Sequence, residues 1–271
     1  MASRAAGVVQ RHPLITFFVL AYAVAWAFVP FGSFGAFGPL VAALVVVPLT
    51  QGRAGLRELG SRLVRWRVRW LWYLVALGLP LAIHLLTAGL HTAAGDDGWS
   101  VSAASVSAAV LTFLVRLVNP TDGPLGEEPG WRGFALPGLQ SRYSPLAATT
   151  ILALLVAGWH LPLFFLEEGG LQPPVLVGGL VTTVAVTYWY AWLFNRSAGS
   201  VLLVLMAHSI EGSLQAQGWI YMGVWCVAGV ALIVFDPKAW RRPVDARVVT
   251  SLEAQLRPAV AVASLPDSQR K

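Results

Sequence analysis

The sequence predicts an all-α fold, a polytopic membrane helical bundle of about eight transmembrane helices. Three observations point there. Apolar residues make up 56% of the 271 positions and charged residues only 12%, about half the ~25% usual in a globular domain. The mean hydropathy is +0.66. The apolar residues also fall in continuous runs, and eight helices of ~20 residues would use ~160 positions. This combination excludes a disordered chain, a disulfide-rich secreted module and an ordinary soluble enzyme. Continuous rather than alternating runs speak against a closed β-barrel.

The runs cover residues 14–30, 34–50, 70–90, 103–118, 146–166, 175–194, 200–214 and 219–235. The first could be read as a signal peptide with Ala21-Tyr22-Ala23 as its cleavage site, but it is long for that role. Pro30, Pro48 and Pro80 fall in or beside the early runs, where membrane helices tolerate proline. Between the second and third runs, Leu56, Leu59, Leu63, Trp66 and Trp70 recur at spacings of three and four among arginines. That pattern predicts an amphipathic helix in the headgroup layer, with arginines reaching phosphates. A weaker version, Val244, Val248, Leu252 and Leu256, lies in the tail. Residues 1–240 therefore read as one membrane domain and 241–271 as a cytoplasmic tail, disordered beyond Pro258.

The positive residues set the orientation. Arg4 and Arg11 precede the first run, and Arg53, Arg57, Arg62, Arg65, Arg67 and Arg69 separate the second from the third. Arg132 and Arg142 follow the fourth, Arg196 the sixth, and Lys238, Arg241, Arg242 and Arg247 the eighth. The alternate connections carry Asp96, Asp97, Glu167 and Glu168 and no Lys or Arg. Eight spans with both termini cytoplasmic, in a plasma (inner) membrane, satisfy the positive-inside bias. The net charge of +6 is explained by this distribution, so no nucleic-acid partner is expected. Cys226, the single cysteine, can form neither an internal disulfide nor a Cys-based metal site.

Ionisable groups within such runs are costly and usually functional. The candidates are Glu127, Glu128 and Arg132, then His160, then His208 and Glu211, with His84 beside them. In the stretch Gly126-Glu127-Glu128-Pro129-Gly130-Trp131-Arg132, Pro129 suits the first turn of a helix. Two carboxylates there are favoured by the helix dipole. Glu128 and Arg132 are four apart, acid first, on one helical face. A loop ion pair is the plain alternative. A lone membrane histidine is often only hydrogen-bonded to a neighbouring helix. Two histidines with a carboxylate pair instead suit zinc or a similar divalent ion with one position open for water. A glutamate beside that water could be a general base. A serine protease fits poorly, because Ser209 directly follows His208 and helix neighbours do not face each other. A proton relay in a transporter could use the same groups.

At these residues the sequence resembles the CPBP intramembrane metalloproteases, the family of CAAX prenyl endopeptidases and bacteriocin-processing or immunity proteins. The family's Glu-Glu-x-x-x-Arg run is matched by Glu127, Glu128 and Arg132, followed by the typical Gly133-Phe134. Its aromatic-x-x-x-His run is matched at His160, within Trp159-His160-Leu161-Pro162-Leu163-Phe164, with Val156 at the aromatic position. Its His-x-x-x-Asn run is matched at His208, but Gly212 stands where Asn is usual. Ala191–Arg196 and the Arg-rich entry from Trp66 to Tyr73 also look like the family, and the resemblance spans most of residues 50–235.

The resemblance implies that Glu127 is the general base and that Glu128 orients it or pairs with Arg132. His160 and His208 would bind a metal together with Glu127, or polarise the water and the oxyanion. The implied cofactor is a divalent metal, zinc for this donor set. The implied partners are membrane lipids and a peptide or protein substrate at the inner leaflet, of which a CAAX-type segment is one form. The site is expected to open to the cytoplasm, because the Glu-Glu run lies by the inner connections. Gly212 leaves three outcomes: a neighbour substitutes, the water is held less well, or the chain is not an efficient protease. In the last case it would be a catalytically weak or inactive member that binds a toxin or partner, as an immunity protein does. The orientation itself is testable. Tags at Asp97 and Glu168 should be reached only from outside the cytoplasm and a tag at Lys271 only from inside, and an inverted pattern would overturn the assignment.

Overall fold

The computed structural model describes residues 2–95, 103–166, 172–214 and 218–241, and among these it contains helices and no strand. The expected acidic connections at Asp96, Asp97, Glu167 and Glu168, and the tail beyond Arg241, lie outside the described residues. After α1 (Ala2–Arg11) come α2 (Pro13–Trp26), α3 (Gly38–Leu63), α4 (Leu71–Ala93) and α5 (Ala103–Val118). A broken helix follows: α6 (Pro124–Gly130), a π-helical turn (Trp131–Ala135) and α7 (Leu136–Gln140). Then come α8 (Pro145–His160), α9 (Leu163–Leu166), α10 (Pro173–Arg196), α11 (Val201–Ser213), α12 (Trp219–Phe235) and α13 (Pro237–Arg241). Each of the eight apolar runs is helical, and five are long and apolar enough to cross a bilayer. The protein is a polytopic helical membrane bundle.

Local sequence explains where these helices begin. Proline stands in the first turn of α2, α3, α6, α8 and α10, where its missing N–H has no partner to lose. Ser144 caps α8 by accepting from the Ala147 N–H at 3.3 Å. Ser200 caps α11 by accepting from the Leu203 N–H at 3.2 Å. Along α12 only Tyr221, Trp225 and Gly229 are buried. Their four-residue spacing is one narrow seam, and the exposed Val227, Val230 and Val234 face outwards, as lipid contact requires.

The headgroup helix is shorter than its pattern suggests. Gly52 takes φ 61° and ψ −155° and breaks α3, so residues 53–63 turn away from the membrane-spanning part. The helix ends at Leu63, leaving Trp66 and Trp70 beyond it and exposed. Arg62 is buried rather than reaching outwards. It donates to Glu58 at 3.0 Å and to the Gly133 carbonyl at 2.8 Å, because two acceptors inside the fold satisfy its fork better than packing against lipid would.

Contacts between connections define two ends of the bundle. At one end Arg65 donates to the Ala198 carbonyl at 2.6 Å and Ser200 donates to the Arg65 carbonyl at 2.8 Å. Asp236 lies on the same side and accepts from Arg196 and, at 2.9 Å, from Trp192. Burial alone would raise the Asp236 carboxyl, but these donors hold it below the usual carboxylate range. At the other end the Trp26 indole donates to the Trp159 carbonyl at 3.0 Å, and Phe34 meets the Trp159 ring edge-on at 4.6 Å. The arginine-rich connections all belong to the first end.

Between the ends, Trp131, Trp159, Trp189 and Trp225 are fully buried. The Trp131 ring meets Phe17 at 5.5 Å and Trp159 at 5.6 Å, tying the broken helix to α2 and α8. Its backbone comes very close to α3. A Cβ added at Gly130 would stand 2.4 Å from the Pro39 carbonyl oxygen, whereas one at Gly223 on α12 would meet nothing within 4 Å. Gly130→Ala should therefore lower the thermal midpoint in detergent, by about 1–3 kcal/mol as for other overpacked sites. Gly223→Ala should be neutral or slightly stabilising. Equal midpoints would refute the close approach.

Candidate active site

The acidic pair does not lie in a connection. Residues 119–123 interrupt the path between α5 and α6, with Asn119 accepting from the Thr121 N–H at 3.0 Å and hydroxyl at 2.8 Å. Gly123, at φ 67° and ψ −94°, adopts a conformation that side chains avoid. The new helix begins at Pro124, five residues before Pro129, because Pro124 itself takes the first-turn position. Pro129 therefore sits inside α6, where it has no N–H to give and crowds the preceding turn. The π turn follows directly, a feature frequent at functional sites.

The broken helix then runs from one end of the bundle to the other. Gly126 packs against Ala36 and Phe37, and Gly138 against Leu14 at the start of α2. Glu127 and Glu128 consequently lie inside the bundle, about two helical turns from the arginine-rich connections, not beside them as the sequence order suggests. Residues 124–140 re-enter the bundle, and linear order alone reads them as a loop. Arg132 is buried too, so it does not belong with the charges that mark the inner face.

Glu128 is wholly buried. Its Oε1 accepts from Arg132 Nη1 at 3.1 Å and lies 2.8 Å from His208 Nδ1. The Arg132 guanidinium lies 5.0 Å over the Tyr190 ring, and that ring stands 5.1 Å from the His208 imidazole. This assembly fixes His208 with Nδ1 on the carboxylate and Nε2 free to face the cavity. Glu127 is held more loosely, its Oε2 accepting only from the Trp131 indole at 3.3 Å. His160 lies at the end of α8, with Nδ1 donating to the Val156 carbonyl at 2.8 Å and its ring stacked by Phe34.

Glu127, Arg132, His160, His208 and Glu211 line one cavity of about 140 Å³. Glu128 stands behind it. Glu211 accepts from the Tyr221 hydroxyl, and His84 packs on the Tyr221 ring at 5.1 Å while its Nδ1 bonds the Pro80 carbonyl. His84 thus belongs to a supporting layer. A second cavity, of about 300 Å³, shares Thr182 and Thr183 with the first and continues towards Pro174 and Trp219, the ends of α10 and α12 remote from the arginines. Two imidazole nitrogens and a carboxylate are donors that suit zinc. Among the described residues, however, no three His, Cys, Asp or Glu side chains are drawn into one metal-binding group. As they stand, His160, His208 and Glu127 do not converge on one ion position.

One residue at the site escapes sequence reading. A Cβ at Gly123 would lie 3.2 Å from Arg116 Nη2, 3.3 Å from Glu127 Oε1 and 3.9 Å from His208 Nε2. Arg116 therefore joins the acid and the histidine around one point. The available signal was a lone arginine inside an apolar run, the costly placement that singled out the histidines.

The stretch carrying these groups is also where known proteins match. The family model "Type II CAAX prenyl endopeptidase Rce1-like" matches residues 107–212. A relative from Methanococcus maripaludis, described as CAAX prenyl protease 2, is 27% identical over 133 residues, covering 41% of this chain and 46% of the relative. Both matches are to CAAX prenyl proteases, the kind of protein that the motifs around Glu127, His160 and His208 resemble. The chain spans about half the length of the curated relative it matches. The matched region runs from α5 to Gly212 and contains Arg116, Glu127, Glu128, Arg132, His160 and His208.

The different burial of the two glutamates separates their roles in stability. Glu128→Gln should cost about 3–5 kcal/mol, because it leaves the buried Arg132 charge without its counterion. Glu127→Gln should cost far less, since only one long hydrogen bond is at stake. Thermal unfolding in detergent checks the order, and a larger loss for Glu127→Gln would contradict this description.

Proposed function

We propose that the protein is an intramembrane peptidase that hydrolyses a peptide bond with water activated by Glu127. The observation that carries the reading is the single cavity shared by a loosely held carboxylate and two imidazoles. Glu128, Arg132 and Tyr190 lock one of those imidazoles from behind. In this reading Glu127 takes a proton from water, and the hydroxide adds to the scissile carbonyl carbon. The C–N bond then breaks, and Glu127 returns the proton to the leaving nitrogen. His160 and His208, each with Nδ1 engaged elsewhere, present Nε2 to the cavity, and one of them accepts the water's second hydrogen and holds it for attack.

The substrate is a peptide or protein segment presented at the membrane. The positive-inside rule makes the arginine-rich end cytoplasmic. The active cavity and its extension lead to the opposite end, so the segment enters from the extracytoplasmic half of the bilayer. This differs from the inner-leaflet entry expected from the linear order of the spans. A CAAX-type tail presented from the cytoplasm would have to approach through the end closed by residues 64–70 and 197–200.

Glu127→Gln should lower cleavage of membrane-presented peptides by about 10²–10⁴-fold with expression and folding intact. A wild type active on such peptides and unaffected by Glu127→Gln would defeat this mechanism. A wild type inactive on all of them, with its cellular effect preserved in Glu127→Gln, would favour a non-catalytic binding protein.

A further inference from the structure

Gly212 leaves a gap one turn beyond His208, and Arg116 fills it. A Cβ built on Gly212 would stand 2.6 Å from Arg116 Nη2 and 2.7 Å from its Cζ. The guanidinium arrives from α5, and its Nη1 lies 3.3 Å from Asp122 Oδ1. That ion pair steadies it beside the break at 119–123. Its Nη2, Glu127 Oε1 and His208 Nε2 all lie within 4 Å of the point that a Cβ on Gly123 would take. A side chain at 212 would displace this group, and one at 123 would press on it.

The chemistry of the cavity needs such a donor. A carbonyl oxygen can only accept, so His160 gives its Nδ1–H to Val156 and presents a bare Nε2. His208 does the same towards the Glu128 carboxylate. Glu127 only accepts. Arg132 spends Nη1 on Glu128, and its guanidinium lies over the Tyr190 ring. A carbonyl becoming tetrahedral gathers negative charge on oxygen and is stabilised by donors aimed at that oxygen.

We infer that Arg116 is a catalytic residue. Its Nη2 donates to the scissile carbonyl oxygen as that oxygen becomes an oxyanion, supplying from α5 the hydrogen-bonding side chain that position 212 lacks. The inference rests on the peptidase reading of this cavity. Arg116 keeps its protons throughout. The carbonyl pair moves onto oxygen as water adds, and returns when the C–N bond breaks.

The test compares wild type, Arg116→Gln, Arg116→Lys, Gly212→Asn and the double variant Arg116→Gln/Gly212→Asn in detergent. Arg116→Gln should lower kcat by about 10²–10³-fold, the usual cost of one oxyanion donor, with KM nearly unchanged. Arg116→Lys, which keeps the charge on a thinner side chain, should retain part of the rate. Gly212→Asn alone should be impaired, because its side chain collides with the guanidinium. The double variant should regain activity over Arg116→Gln, since the vacated space then receives an amide donor. A peptide phosphinate, a stable tetrahedral anion, gives a readout independent of turnover. Arg116→Gln should weaken its binding about 100-fold and leave binding of an uncharged isostere unchanged. An Arg116→Gln enzyme that cleaves at the wild-type kcat, or a phosphinate bound equally by both proteins, overturns the role of Arg116. In the first of those cases the peptidase reading survives. A wild type that neither cleaves nor binds the phosphinate defeats both.

Discussion

The buried carboxylate of Glu128 is the constraint on which the site depends. A lone carboxylate in the interior of a membrane bundle would be prohibitively costly. Here one oxygen is shared between the Arg132 guanidinium and the His208 imidazole, two charge-assisted contacts of the strong kind. Arg132 lies on the same broken helix, one turn on, while His208 comes from α11. The carboxylate therefore fixes the π turn against a second helix, and Tyr190 of α10 closes the arrangement from the guanidinium face and the imidazole face at once. Removing either partner exposes the remaining charge to an apolar interior, so the assembly holds together as a unit.

Glu127 differs from its neighbour because a helix turns by about 100° per residue. Rotated away from the Arg132–His208 lock, it faces the cavity with a single long contact from Trp131. The adjacent carboxylates thus divide the work. One is paired with a guanidinium and an imidazole, while the other faces the cavity. The broken path between α5 and α6 makes this possible. Of residues 119–123 only Gly123, at the entry to α6, is buried. Their glycine allows the sharp entry into α6, and their Asp122 anchors Arg116.

The short helices fit the same picture. α11 has 13 residues and spans about 20 Å, well short of a ~30 Å hydrocarbon core. Its last turn, carrying Glu211 and Gly212, therefore stops within the depth covered by α4 and α10. A recess forms above it, and the second cavity continues from there towards Pro174 and Trp219. The arginine-rich end is instead closed by contacts between residues 64–70 and 197–200.

The sequence by itself determined the class of the fold. Continuous apolar runs can satisfy their backbone groups in a bilayer only as helices. It also marked the residues of interest, because Glu127, Glu128, His160 and His208 are expensive in such surroundings. Three matters were decided only by tertiary structure. Residues 124–140 read as a connection with a helix start at Pro129, and packing against α2, α3 and α8 makes them a broken helix inside the bundle. Arg62 read as a headgroup anchor, and acceptors on Glu58 and Gly133 drew it inside. Arg116 and Gly212 are nearly 100 positions apart, and a guanidinium filling the space left by a missing side chain is a matter of volume that no linear pattern records.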